Sequence, residues 1–210
     1  MRLRHKKWQD RVLTENTDIG KDLSTFDPES IKDYQRLEIG SGCGGFLIDR
    51  AKKQPEKKFL GVEINQTAFA IAVKKASSEK EEAKNFTFLN SPIERIFPLI
   101  QDGQLDAIFI NFPDPWPKKR QRKRRLSYPD RLKEYFRRLK PNGKIYFRTD
   151  NTDLFNDSVG YFKSVNLYQT EIIEPFLSET QTVLSPTEYE NKFRAKGVRI
   201  HLLIATKEDK

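Results

Sequence analysis

The feature that most constrains this chain is a strand that runs straight into glycines and then into a helix. Arg36-Leu37-Glu38-Ile39 reads as a short apolar strand, GSGCGG follows at once, and Phe46, Leu47 and Ile48 begin a helix that ends near Gln54-Pro55. A strand-to-helix turn this tight needs glycine, because a side chain there would strain the backbone or block the close approach of a ligand. Gly40, Gly42, Gly44 and Gly45 fit both G-x-G-x-x-G and G-x-G-x-G. The spacing alone therefore admits a dinucleotide as well as a methionine-nucleoside cofactor.

The rest of the chain keeps the same alternation. Further strands are expected at 59–63, 86–89, 105–110, 145–147, 167–174 and 198–206. Helices are expected at 66–84, after Pro92, at 129–139 and at 152–163. Lys140-Pro141-Asn142-Gly143 is a helix stop. Strands alternating with helices argue an α/β fold, a mostly parallel sheet with helices on both faces. Residues 1–35 read as a basic, then polar, N-terminal arm, and 36–210 as one domain. Ligands of such sheets bind at the carboxyl ends of the strands. Glu38, Glu63, Asn90, Asn111, Asp114 and Asp150 all fall at that edge.

Two acids narrow the cofactor. Glu63 ends the second strand, roughly 20 residues past the glycines, where a carboxylate accepts hydrogen bonds from ribose hydroxyls. Glu38 stands two residues before Gly40. A carboxylate there opposes a pyrophosphate but suits a ligand carrying an ammonium and a sulfonium, which favours S-adenosylmethionine over NAD. Cys43 is assigned no chemistry, and a single cysteine builds neither a disulfide nor a thiolate metal site. No apolar run approaches the roughly 18 residues of a membrane span, and no signal-peptide stretch follows the first residues. A reducing cytoplasm is the expected setting. His5 and His201 lack partner spacing, and no metal is expected.

The net charge of +9 is concentrated. Residues 118–125, KKRQRKRR, hold seven bases in eight positions and leave about +2 for everything else. A solvated loop explains such a run, and so does a polyanionic partner. The segment before it is the most specific in the chain. In Asn111-Phe112-Pro113-Asp114-Pro115-Trp116-Pro117 three prolines fix backbone torsions and hold Asp114 and Trp116 at the strand edge. Trp116 reads as a packing residue first and a base-stacking residue second.

These segments resemble the tRNA (guanine-N7-)-methyltransferase family of the bacterial single-subunit type. The resemblance rests on MRLRHKKW, LEIGSGCGG, LGVEI, NFPDPWPKKRQRKRRL, FRTDN at 147–151 and TEYENKF at 187–193, in the family's order along nearly the whole chain. It implies a class I S-adenosylmethionine-dependent methyltransferase fold, Rossmann-like, with a seven-stranded, mostly parallel sheet whose last strand is antiparallel. It implies methyl transfer to N7 of guanine 46 in the tRNA variable loop, leaving S-adenosyl-L-homocysteine. The implied partner is tRNA, with no membrane and no obligate protein partner expected, and the chain expected as monomer or homodimer. By motif, Glu38, Gly40, Gly42, Glu63, Asn90 and Asp114 would bind the cofactor, with Asp114 also the catalytic acid. Lys118, Asp150, Thr187, Glu188, Tyr189 and Glu190 would contact substrate. Arg120, Gln121, Arg122, Lys123, Arg124 and Arg125 would contact RNA. The family places an Asp after the third strand; here Asn90, Ser91 and Pro92 are alternatives for the adenine contact.

Three other readings fit parts of the pattern. An exocyclic-amine methyltransferase would use a related Asn-Pro-Pro-aromatic loop. A non-catalytic RNA-binding protein would need neither the acids nor the glycines. A nicotinamide oxidoreductase is disfavoured by Glu38 and the basic run.

Overall fold

The computed structural model describes residues 7–79, 85–173, 184 and 186–208. The chain divides into two compact units, Met1–Gln101 and Asp102–Lys210.

In the first unit four parallel strands lie in the order β1-β4-β3-β2, with β1 Gly20–Asp22, β2 Arg36–Ile39, β3 Phe59–Glu63 and β4 Phe86–Asn90. Every residue of β3 is buried. Successive side chains of a strand point to opposite faces, so both faces of β3 are covered, which is why Phe59-Leu60-Gly61-Val62 reads as a continuous apolar run. Two glycines set how closely the covering elements approach. A Cβ on Gly61 would stand 2.7 Å from the Phe88 ring and 2.9 Å from Leu47. Gly44, at φ 79°, would place its Cβ 2.7 Å from Phe88 and 2.8 Å from Ala72. Helix α2, Gly45–Lys53, follows directly, with Gly44 as its N-cap. Helix α3, Gln66–Ser77, is capped by Asn65, whose side chain accepts from the Thr67 and Ala68 amides. The expected extension to 84 runs through residues 80–84, outside the described part.

The segment expected as an arm joins this unit. Residues 1–6, with His5, lie outside the described part. Helix α1, Lys7–Glu15, packs on α3, with Lys74 Nζ 5.3 Å from the Trp8 ring centre. Strand β1 pairs with β4, and Ile19, Phe26, Ile31 and Tyr34 are buried. The described sheet strands therefore number eight, one more than expected. The added strand, Gly-Lys-Asp, carries no apolar signal because it is three residues long and held through backbone pairing.

In the second unit the order is β5-β6-β8-β7, with β5 Leu105–Asn111, β6 Leu139–Thr149, β7 Tyr168–Ile173 and β8 His201–Lys207. β5 and β6 are parallel, and β8 is antiparallel to both its neighbours. β6 is longer than the expected 145–147. It starts directly after helix α4, Pro129–Arg138, and its register on β5 shifts between Leu105 and Ala107. Asn142, at φ 62°, lies within that irregular stretch. The expected stop at 140–143 thus ends a helix and bulges a strand together. Helix α5, Thr152–Val165, is capped by Asn151 and buries Leu154, Phe155 and Phe162. His201 is buried, 3.1 Å from the Thr152 hydroxyl and stacked on Phe155, a packed histidine rather than a ligand.

Candidate active site

In the first unit the glycine loop is held open by an acid. Glu63 Oε2 accepts from the Gly42 amide at 2.8 Å, and Oε1 accepts from the Asn65 amide at 2.7 Å. The carboxylate expected to meet a ribose thus also shapes the loop; each of its oxygens can accept a further bond. Gly40 and Gly42 have φ of 74° and 54°, and nothing lies within 4 Å of where a Cβ would stand on either. Gly44 is needed for packing, whereas Gly40 and Gly42 leave an open backbone surface. Glu38 is buried on β2. Asn90 donates its amide to the Glu63 carbonyl at 2.8 Å and so ties β4 to β3 at that end. Ser91 is buried. Ile64, directly after Glu63, is 70% exposed, an apolar side chain facing solvent beside two polar ones. Sequence reasoning passed over it, although an isolated apolar residue just past an acidic strand end was a readable signal.

In the second unit the stiff loop after β5 is clamped at both ends. Phe112 donates its amide to the Arg148 carbonyl at 2.8 Å, and Arg148 Nε donates to Asn111 Oδ1 at 2.8 Å. At the far end Arg125 Nε donates to the Pro115 carbonyl at 2.8 Å, and its Nη1 pairs with Asp157 at 2.6 Å. Between the clamps Phe112 and Trp116 have φ of 50° and 41°. Left-handed backbone at bulky residues costs about 1–3 kcal/mol each and persists where the surroundings over-determine it. The Phe112 ring rests on Tyr189, with centroids 4.8 Å apart, and Arg124 lies 5.0 Å from the Trp116 ring centre. Asp114, carried between these fixed points, is exposed.

The basic run is not uniform. Lys119–Arg124 forms a 3-10 turn. Lys118, Lys119, Arg120, Lys123 and Arg124 are exposed, while Gln121 and Arg122 are half-buried. Arg125 is 2% exposed and bonded to Pro115 and Asp157, so it braces the loop. Of the residues 120–125 expected to contact RNA, Arg125 is the buried one.

The Thr187–Glu190 stretch is divided too. Thr187 Oγ1 accepts from the Glu190 amide at 2.9 Å, capping helix α6, Glu188–Arg194. The Glu188 side chain lies outside the described part. Tyr189 is 42% exposed and donates to Asp150 Oδ2 at 3.4 Å. Partial burial, then the Asp150 charge, raise its phenol above the ordinary value. Glu190 is fully buried; it pairs with Arg148 at 2.8 Å, itself 0% exposed, and with Arg194 at 2.6 Å. Of the residues expected to contact substrate, the structure brings Asp150 and Tyr189 together at an exposed edge. Glu190 is an internal anchor for β6 and α6. Arg148 and Arg194, its partners, were not singled out by sequence: the pair with Arg148 spans 42 residues and leaves no local pattern, whereas Arg194 stands at i+4 on the same helix, a spacing that was readable.

Among the described residues no group of three or more His, Cys, Asp or Glu side chains could hold a metal, and no helix is long and apolar enough to cross a membrane.

The family model described as "Putative methyltransferase" matches residues 32–203. The chain is 34% identical to a tRNA (guanine-N(7)-)-methyltransferase of Bacillus subtilis (strain 168), covering 96% of each chain. It is 38% identical to the protein of that name from Limosilactobacillus reuteri (strain DSM 20016), covering 98% of this chain and 99% of the relative. A precorrin-6y C5,15-methyltransferase structure from Geobacter metallireducens GS-15 superposes with a TM-score of 0.59 at 14% identity, covering 99% of this chain and 91% of that one. At that identity the likeness concerns the fold, which is that of the class I S-adenosylmethionine-dependent methyltransferases. With near-complete coverage above 30% identity, the chain belongs to the tRNA (guanine-N(7)-)-methyltransferase family.

Proposed function

We propose that this protein transfers a methyl group from S-adenosylmethionine to N7 of guanine 46 in the tRNA variable loop. One observation carries the reading: an exposed Asp114 on a proline-stiffened loop, clamped at both ends, leads directly into an exposed basic turn. The names of the Bacillus and Limosilactobacillus relatives support the choice of base and of nucleic acid.

The residues of the first unit fit the cofactor. The open, positive-φ backbone at Gly40 and Gly42 leaves room for a close ligand, Glu63 still has acceptor capacity for ribose hydroxyls, and Glu38 suits an ammonium. Exposed Ile64 suits the face of an adenine ring. Asn90 or Ser91 would meet the adenine edge. When bound, S-adenosylmethionine supplies an electrophilic methyl group.

Guanine N7 carries an in-plane lone pair and no proton, so no general base is required. The chain must orient the base and favour the positive charge that grows on it. Asp114 grips the N1/N2 edge of the guanine, fixing its pose and opposing that charge. Lys118, Asp150 and Tyr189 contact the same nucleotide. Lys119, Arg120, Lys123 and Arg124 meet phosphates, which position the RNA without reading its sequence. The guanine must leave its stack to reach Asp114.

Two measurements test this. Asp114→Asn with saturating tRNA should lower kcat about 100-fold; an unchanged kcat removes Asp114 from the chemistry. A tRNA with adenine at position 46 should accept no methyl; undiminished incorporation would place the target elsewhere.

A further inference from the structure

Within the second unit a cavity of about 370 Å³ opens beside the stiff loop, within the size range of ligand pockets. One wall is formed by Pro115 and Pro117, rigid apolar rings. Another is formed by Arg122 and Arg125, and a third by Asp153, Asn156 and Asp157 from successive turns of α5. Asp114, Lys118, Asp150 and Tyr189, which were assigned to the methylated guanine, do not line it. Along the loop the prolines at 115 and 117 face the cavity, while 114, 116 and 118 do not.

The wall chemistry selects an occupant. Two guanidinium groups and two carboxylates balance, and Arg125 and Arg122 already stand 2.6 Å and 3.5 Å from Asp157. A phosphate would meet Asp153 and Asp157 as well as the arginines, so the cavity is poorly suited to an anion. It suits a neutral ring with both donors and acceptors on its edge. Asp153 and Asn156 are exposed and supply complementary atoms. The Arg122 side chain is 43% exposed, and its guanidinium offers donors to a carbonyl or ring nitrogen placed in the cavity. Arg120, Lys123 and Arg124, exposed on the adjoining turn, would hold a sugar–phosphate backbone at its mouth.

We propose that this cavity holds a second nucleobase of the tRNA, distinct from the methylated guanine and splayed from the stack. The proposal rests on the reading of the chain as a tRNA methyltransferase and adds a subsite to it. Splayed bases stacked on flat side chains and bonded along their edges are the usual mode of single-stranded RNA recognition.

Two measurements on the full-length protein test it together. Benzoylphenylalanine incorporated in place of Asn156 should photocrosslink tRNA at a nucleotide other than the methylated guanine. Asn156→Phe, which fills the cavity, should raise KM for tRNA about 10-fold, with kcat changed less than about twofold. If Asn156→Phe lowers the thermal midpoint, Asp153→Ala and Asn156→Ala, truncations of exposed side chains, should give the same KM-against-kcat split. Both a crosslink of that kind and a raised KM are required. A crosslink to the methylated guanine, no crosslink, or an unchanged KM overturns the proposal. Failure of the underlying reading has a different signature: the unsubstituted protein would put no methyl on guanine N7.

Discussion

Replacing Glu190 with alanine would leave the Arg148 guanidinium fully buried and facing a methyl group. Removing one partner of a buried pair costs about 3–5 kcal/mol, because the remaining charge is stranded away from water. Domains are stable by roughly 5–15 kcal/mol, so this single change would consume about a fifth of the total or more. With a urea m-value of roughly 3 kcal/mol/M, the midpoint should fall by about 1–2 M. Arg194→Ala is the control. Its side chain is 22% exposed and its loss leaves Glu190 paired with Arg148, so about 1 kcal/mol or less is expected. Circular dichroism during urea titration reads both. A Glu190→Ala midpoint within about 0.3 M of the parent, or an equal loss from Arg194→Ala, would refute the anchoring role. If Glu190→Ala instead kept its stability and raised KM for tRNA, the residue would be a substrate contact.

Other outcomes follow from the same geometry. Gly44→Ala must adopt φ 79° with its Cβ 2.7 Å from Phe88, so a loss of about 1–3 kcal/mol is expected in denaturant titration. Alanine at Arg120, Lys123 and Arg124 together should flatten the log–log salt dependence of tRNA binding by up to about 2. Arg125→Ala should leave that slope nearly unchanged and lower the unfolding midpoint, because its charge is spent on Asp157. Burial raises the Tyr34 and Tyr168 phenols above the ordinary value. The stability they contribute is therefore full below about pH 10 and lost as pH rises further. Tyr168→Phe should flatten the alkaline fall in midpoint while costing the hydrogen bond to Leu132.

The readable parts of the sequence were those where local chemistry and tertiary role coincide. Gly40, Gly42 and Gly44 need positive φ whatever surrounds them, and the alternating prolines at 113, 115 and 117 stiffen a loop on their own. Apolar runs located seven strands; those among them that are parallel and buried must be apolar along their length. β1 was illegible because Gly20–Asp22 is held by backbone pairing to β4, with no side-chain pattern to report it. The run at 118–125 announced charge but not direction: the turn at Lys119–Arg124 exposes most of it and sends Arg125 inward. Glu190 looked like its neighbours in a polar motif. Its burial depends on Arg148, 42 residues away, which no window along the chain connects.

The most direct measurement is incubation of the purified protein with tRNA and S-adenosylmethionine labelled on the methyl group, followed by complete digestion and nucleoside analysis. The label should appear in N7-methylguanosine and map to position 46. Label in N2-methylguanosine or in another nucleoside, or none in tRNA, would contradict the proposed reaction.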